Sequence, residues 1–532
     1  MSLLEVGLRL DGYDRNTSPH WRYDSEFGWT SDPDGLSMAG KPIRDVLPSG
    51  FRHHVRKTAK PRGVKRLLIL GDSFTLASRF PYAHTYPGRL EAWLNQGQEG
   101  ESWQVLSLNA DDWGNAQQLL ALTRHGLQYA PDAVVLQVFP LNDFCNNSLI
   151  LAHTCSHQDD HRPYFVFDRQ GGNPSTAQLR LTSVSPTRTW LRDRLFFFAA
   201  AENTVMPVWR GWPGSVDESP EAHQRRQDYF QNQAERVGLR YPGVIYSLLP
   251  EPHQPPPIRQ AWGITERIFQ RIRQVLDERG IPLLVMVVPF SQTFQERWPD
   301  FAQLFQVPLQ ADHGTGWVEE RFRSWGVPVI SVRQCILAGE TPSQDFFISP
   351  DDGHFNPFGH FMAAQWILGE LHRLQVTAAT PPGSSLPSTD LLQEEAPPSL
   401  VLLGFDGIST DGYGRWRLAM GPRAEIAFQA AAGQAMQLQF RLHNLIVGQR
   451  VSLLINHDQA LPPMPLDSLG KQEPHSISFQ TIAGLNVISF LSDDWNWGRS
   501  VYFERDNRPI ALNFSSLKLS PQTKLDQSQP AK

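Results

Sequence analysis

The amino-acid sequence predicts a parallel-sheet α/β sandwich followed by an all-β sandwich. Three observations carry this. Short runs rich in Val, Ile and Leu alternate with helical patterns up to about residue 378, a Pro/Ser-rich stretch follows, and beyond about residue 398 the strands show period-2 alternation.

In the first part, Lys65 to Leu70, Trp103 to Leu108, Ala133 to Phe139, Pro282 to Pro289 and Val327 to Val332 read as strands covered on both faces. Between them lie helical stretches at Tyr86 to Asn95, Ala116 to Tyr129, Thr265 to Arg279 and Gly359 to Leu374. That β-α-β-α order calls for parallel strands with helices on the faces. Residues 1–62 form an extension expected to pack on the 63–378 domain, and a Pro-rich polar insertion at about 150–260 is expected to form lids or walls around a site. Thr380-Pro-Pro-Gly-Ser-Ser-Leu-Pro-Ser-Thr389 and Glu394-Glu-Ala-Pro-Pro-Ser399 mark a linker at 379–397. In the second domain, 398–520, Ala424 to Phe428, Gln437 to Leu442, Val451 to Ile455 and Asn486 to Phe490 are short strands separated by turn residues. The polar tail 521–532 is expected to fray.

Composition narrows the function. With 48 Lys plus Arg against 54 Asp plus Glu, the formal charge of −6 supplies no basic field for a polyanion, so nucleic acid is not an expected partner. The 3 cysteines, Cys145, Cys155 and Cys335, exclude a disulfide-built scaffold and a four-cysteine zinc site, and leave a Cys145–Cys155 bridge open. No apolar run approaches the ~20 residues that cross a bilayer. The segment Met1 to Leu10 lacks a basic n-region, so it does not read as a signal peptide and the chain as written reads as soluble.

The chemistry is carried by three loops. Gly71-Asp72-Ser73-Phe74 follows the first strand and presents Ser73 at the carboxyl end of the sheet, where open α/β folds place their sites. Ser73 there is either a nucleophile whose own N–H can hold an oxyanion, or a helix N-cap. Far downstream, Ser349-Pro350-Asp351-Asp352-Gly353-His354 precedes a helix with Asn356 as expected cap and Pro357 in its first turn. Asp351, three residues before His354, is the expected partner of Nδ1, leaving Nε2 as base for Ser73. After the third strand, Asn142 in Phe139-Pro140-Leu141-Asn142-Asp143 offers an amide donor for an oxyanion; the plainer reading is that Asn142-Asp143 end the strand.

These blocks together resemble the SGNH (GDSL-like) hydrolases, esterases and lipases of a flavodoxin-like α/β fold. Gly71-Asp72-Ser73-Phe74 looks like the first block, Leu141-Asn142-Asp143 like the Gly-x-Asn-Asp block and Asp351-x-x-His354 like the last, with Leu127-Gln-Tyr-Ala-Pro-Asp132 leading into the third strand. The resemblance spans about residues 63–375. It implies a cofactor-free ester hydrolase with Ser73 as nucleophile, His354 as base, Asp351 as its partner, and Ser73 and Asn142 as oxyanion donors. The third donor of the family is usually a Gly N–H after the second strand; the strict match here is Asp112, with Gly114 two residues on, and the Gly of the third block is also replaced. A carboxylate beside an oxyanion raises the barrier unless it points away or is protonated. Two alternatives therefore stand beside hydrolysis of an ester, including acetyl groups on carbohydrate: a polysaccharide O-acetyltransferase of the same fold, and a catalytically degenerate binding protein.

Other candidates rank below these. His360 reads as a helix-packing residue, and His153, His157 and His161 as a solvated loop ahead of a metal site. Trp416, Trp495 and Trp497 of the second domain, which loosely resembles the jelly-roll modules of carbohydrate-active enzymes, read first as core and second as a sugar platform. Leu3 to Leu10 with Phe27-Gly-Trp resembles the segment that follows a membrane anchor in many bacterial members, so the sequence leaves localisation open between cytoplasm and cell envelope.

Overall fold

A computed structural model describes residues 21–33, 37–38, 41–42, 45–95, 102–155, 161–167, 179–183, 220–295, 298–339, 343–349, 352–378, 388–392, 396–411, 414–466, 469–496, 498, 501–502 and 508–522. The chain divides into two compact units, residues 1–91 with 98–356, and residues 92–97 with 357–532.

The first unit is built on five parallel strands: β1 (Val64–Gly71), β2 (Ser102–Asn109), β3 (Ala133–Val138), β4 (Leu283–Val287) and β5 (Val329–Ser331). Their order across the sheet is β5-β4-β3-β1-β2, the 2-1-3-4-5 arrangement of flavodoxin-like folds. Leu67 to Leu70 of β1 are fully buried, as expected of an unbroken apolar run in a strand covered on both faces. The chain reverses direction across the sheet between β1 and β3, so a crevice opens at their carboxyl ends.

Helices α1 (Asn115–Arg124) and α3 (Pro256–Asp277) pack on each other, and α2 (Pro140–Asn146) follows β3 directly. Two helix boundaries differ from the sequence expectation by several residues. Helix α1 ends at Arg124, and Gly126–Tyr129 continues as a tighter 3₁₀ turn. The helix expected from Thr265 starts at Pro256, because prolines in a first turn occupy positions whose N–H has no helical partner anyway.

The segment expected as an insertion is partly core. Tyr164 and Leu249 within it are at most 1% exposed, and it contributes the hairpin Pro163–Phe167/Leu179–Ser183 and the helix Pro220–Arg236. Cys145 and Cys155 are joined in a disulfide. Upstream, the hairpin Trp21–Asp24/Gly28–Ser31 buries Phe27 and Trp29 in the same core as α1.

The second unit is an antiparallel β-sandwich. One sheet runs Phe405–Asp411, Gly414–Met420, Ile510–Pro521, Ala435–Asn444; the other runs Leu400–Leu403, Arg423–Ala430, Gly484–Ser492, Gln449–Ile455, Asp458–Leu466. Inward residues such as Leu438, Phe440, Ile488, Phe490 and Phe514 form its core. The helix Pro357–Arg373 belongs to this unit, ahead of the boundary expected near residue 378. The greater part of the expected linker, residues 379–387 and 393–395, and the tail from 523 lie outside the described residues. Among the described residues no helix is long and apolar enough to cross a membrane.

Candidate active site

Ser73 stands at the first position of a one-turn helix, Ser73–Leu76, immediately beyond β1. The N-cap is Asp72, whose Oδ1 accepts the Phe74 N–H at 2.9 Å, so the Ser73 hydroxyl is not spent on capping. No side chain fits at Gly71: a Cβ there would lie 1.8 Å from Thr75 Oγ1 and 2.7 Å from Gln137 Oε1. The turn is clasped from below by Arg52, which donates to the carbonyls of Leu76 (2.6 Å), Ala77 (2.7 Å) and Phe80 (2.5 Å) and pairs with Asp45 (3.0 Å). The carbonyls of Leu76 and Ala77 are at the carboxyl end of that one-turn helix, and that of Phe80 is in the turn that follows.

His354 reaches the same point from the other end of the unit. Its Nε2 is 2.7 Å from Ser73 Oγ, and its Nδ1 is 2.7 Å from Asp352 Oδ1. The carboxylate on Nδ1 is therefore Asp352, not Asp351, which lies outside the described residues. The reason is local: Asp352 Oδ1 also accepts the His354 backbone N–H at 3.1 Å, an Asx-type turn that folds the carboxylate back on the residue two positions ahead. Ile348 N–H donating to His354 O (2.9 Å) and Asn356 Nδ2 donating to the carbonyls of Asp345 (2.8 Å) and Phe347 (3.0 Å) hold the loop. Asp352 Oδ2 pairs with Arg79 at 2.9 Å. The His354 hydrogen bond, together with its charge and that of Arg79, draws the Asp352 carboxyl down to about 2 against the opposing effect of burial. For His354, burial disfavours the imidazolium, but the bond to Asp352 and the charges of Asp352, Asp111 and Asp72 outweigh it and raise its pKa above the ordinary 6.5. Phe74 lies against the imidazole, ring centroids 4.9 Å apart.

The oxyanion candidates separate. Asn142 is half-buried on the first turn of α2, and its Oδ1 is enclosed without a hydrogen-bond partner among the described residues. Asp143 does tie down the strand end, as the plainer reading of Asn142-Asp143 expected: its Oδ2 accepts from Phe139 N–H (2.7 Å) and Asn115 Nδ2 (3.2 Å). The N–H of Gly114 donates to Gln117 Oε1 at 3.1 Å, so it is engaged in starting α1 and is not an open oxyanion donor. Asp112 has φ +60°, and its carboxylate is bound away by Arg162 (3.0 Å) and Asn146 (3.0 Å).

Two carboxyls lie fully buried behind Ser73. Burial pushes Asp72 up to about 6, against the pull of the Phe74 N–H and of His354, and burial with the Asp72 charge pushes Asp143 well above the carboxylate range.

No family model matches the chain, and no curated protein matches it. Solved structures do. A two-domain esterase active on acetylated mannans, crystallised with mannopentaose, is 13% identical over 87% of this chain and 91% of its own, with a TM-score of 0.27. A GDSL-like lipase from Bacteroides thetaiotaomicron is 12% identical over 58% of this chain and 89% of its own, with a TM-score of 0.25. A family 35 carbohydrate binding module from Clostridium thermocellum is 14% identical over 25% of this chain and 98% of its own, with a TM-score of 0.17.

Sequence reasoning ranked Asp351 ahead of Asp352 as the partner of Nδ1, and it missed Arg52, Arg79, Arg162 and Asp111. The signal for Asp352 was present, since an Asp two residues before its partner is the ordinary Asx-turn spacing. Nothing in the sequence marked the arginines among 48 basic residues. His360 is buried in the helix Pro357–Arg373, and His161 lies edge-on to Tyr23 at 5.3 Å; His157 is outside the described residues. Trp495 packs against the second core, Trp416 lies edge-on to His443 at 5.4 Å, and Trp497 is outside the described residues.

Proposed function

We propose that this chain is a serine hydrolase of the SGNH kind that cleaves carboxylic esters through an acyl-enzyme. The observation that carries the reading is the hydrogen-bonded line Ser73 Oγ, His354 Nε2, His354 Nδ1, Asp352 Oδ1, with both links at 2.7 Å. With Nδ1–H held by Asp352, the unprotonated Nε2 accepts the Ser73 proton as Oγ bonds to the ester carbonyl carbon. The carbonyl electrons move to oxygen, and that oxyanion is held by the N–H of Ser73, the Asn142 amide and the N–H of Asp112. His354 then returns the proton to the departing alkoxide, leaving an acyl group on Ser73. Water, deprotonated by the same Nε2, attacks the acyl carbonyl, and collapse releases the acid and restores Ser73.

The test is turnover of p-nitrophenyl acetate by the full chain and by Ser73→Ala. Loss of turnover in Ser73→Ala with an unchanged Tm supports the reading, and undiminished turnover overturns it. Wild-type protein that is folded yet neither turns over the ester nor takes up a fluorophosphonate at Ser73 is a binding protein instead. Appearance of an acetylated product when an oligosaccharide is added would make it an acyltransferase.

A further inference from the structure

The loop Ala110–Gly114 is where the sequence departs from the family pattern, and it is braced from several sides by Arg162, Asn146, Gln117 and Trp29. We infer that Arg162 is a positioning residue for ester cleavage, which makes an aspartate usable where a glycine is expected by neutralising Asp112 and fixing the course of its backbone. The inference rests on the hydrolase reading above, in which Asp112 supplies an N–H to the oxyanion.

Arg162 is fully buried and comes from the segment expected to be a polar insertion. One arm of its guanidinium donates to Asp112 Oδ2 (3.0 Å) and the other to Gln117 Oε1 (3.0 Å). Gln117 Oε1 in turn accepts the N–H of Gly114 at 3.1 Å, so Arg162 holds the loop at Asp112 directly and at Gly114 through Gln117. The guanidinium also lies 4.6 Å from the ring of Trp29, whose Nε1–H donates to Asp111 O at 2.9 Å. Asn146 Nδ2 completes the brace, donating to Asp112 Oδ1 (3.0 Å) and O (3.2 Å).

Two physical consequences follow from this arrangement. Asp112 at φ +60° occupies the left-handed region, which costs a non-glycine residue about 1 kcal/mol and persists only where its surroundings hold it. Its negative charge would oppose an oxyanion, but paired to a buried, permanently charged guanidinium it forms a neutral unit whose acceptors are turned to Arg162 and Asn146. An oxyanion donor acts in the transition state, so loosening it lowers kcat with little change in KM.

The experiment compares Arg162→Gln, Arg162→Lys and Asp112→Asn/Arg162→Gln with wild type and Ser73→Ala, on p-nitrophenyl acetate, with Tm recorded for each. Arg162→Gln should lose kcat by about 10²-fold with KM within about threefold, the size of effect seen when an oxyanion donor is misplaced. Arg162→Lys should fall between it and wild type. The double variant, which leaves no unpaired carboxylate and therefore tolerates the change in fold, should recover about tenfold or more over Arg162→Gln. Wild-type kcat in Arg162→Gln, or a double variant no better than the single, overturns the inference while Ser73→Ala stays inactive. Full activity in Ser73→Ala overturns the hydrolase reading and this inference with it.

Discussion

Asp352 binds His354 twice through one oxygen: Oδ1 accepts the backbone N–H at 3.1 Å and Nδ1–H at 2.7 Å. The ring and the main chain of the proposed base are thus oriented by a single carboxylate. Replacing it with Asn presents an amide that can donate to Nδ1 and so favours the wrong tautomer facing Ser73. Asp352→Asn should lower kcat/KM by about 10³–10⁴-fold, whereas Asp351→Asn should stay within about threefold of wild type. Steady-state rates on p-nitrophenyl acetate check both; the reverse ranking would return the role to Asp351.

The pH profile should carry the mark of the surrounding acids. His354 acts as base only when neutral, and its pKa is raised above 6.5, so kcat/KM should climb with a midpoint on the alkaline side of 6.5 and then level off. Asp111 is one of the charges that raise it. Asp111→Asn should therefore move the acid limb to lower pH. A midpoint unchanged in that variant would show that Asp111 does not act on the imidazole.

Asp72 should make stability depend on pH. Its carboxyl is raised from 3.8 to about 6 in the folded chain, chiefly by burial, so the folded state takes up a proton that the unfolded state has lost. The stabilisation that this gives is present below 3.8 and is lost as pH rises through about 6. In Asp72→Asn the Oδ1 cap on Phe74 can remain while the charge is gone, and the fall in Tm between pH 4 and pH 8 should shrink. Calorimetric scans at the two pH values measure it.

Arg52 should matter more than its distance in sequence from Ser73 suggests. Its three bonds to the carbonyls of Leu76, Ala77 and Phe80 have no substitute in an apolar side chain, and Asp45 would lose its cation while keeping the Tyr82 N–H. Arg52→Met should destabilise the chain by about 3 kcal/mol or more, since it leaves buried acceptors unpaired. A loss of unfolding free energy under about half a kcal/mol in urea melts would mean that water replaces the guanidinium there.

Much of this fold is legible in the sequence. The strands of the first unit announce themselves through apolar stretches such as Leu67 to Leu70 of β1 and Ala133 to Leu136 of β3, buried on both faces; the second unit's alternation follows from sheets with one dry face. Ser73 and Asn142 stand out in the sequence because each lies just past a strand at the start of a helix, and His354 because its loop runs into the helix that begins at Pro357. Asp352 was misassigned to Asp351 because a family spacing was preferred to the local rule that an Asp folds onto the residue two ahead. Arg162 and Arg52 could not be found that way. Their partners are backbone carbonyls and distant side chains, and nothing in the identity of an arginine says which carbonyl it will meet.

Ser73 and His354 are separated by 281 positions along the chain. Strands β4 and β5, the helices between them and the Asp45–Arg52 clasp must all be in place before those two atoms are neighbours. Loop closure on that scale is entropically late, so during refolding from urea the helical signal should return well before any hydrolysis does. Enzymatic turnover would then serve as a stopwatch for the final step of assembly, and a nascent chain emerging from the ribosome would remain chemically silent until residues beyond 354 had cleared the tunnel.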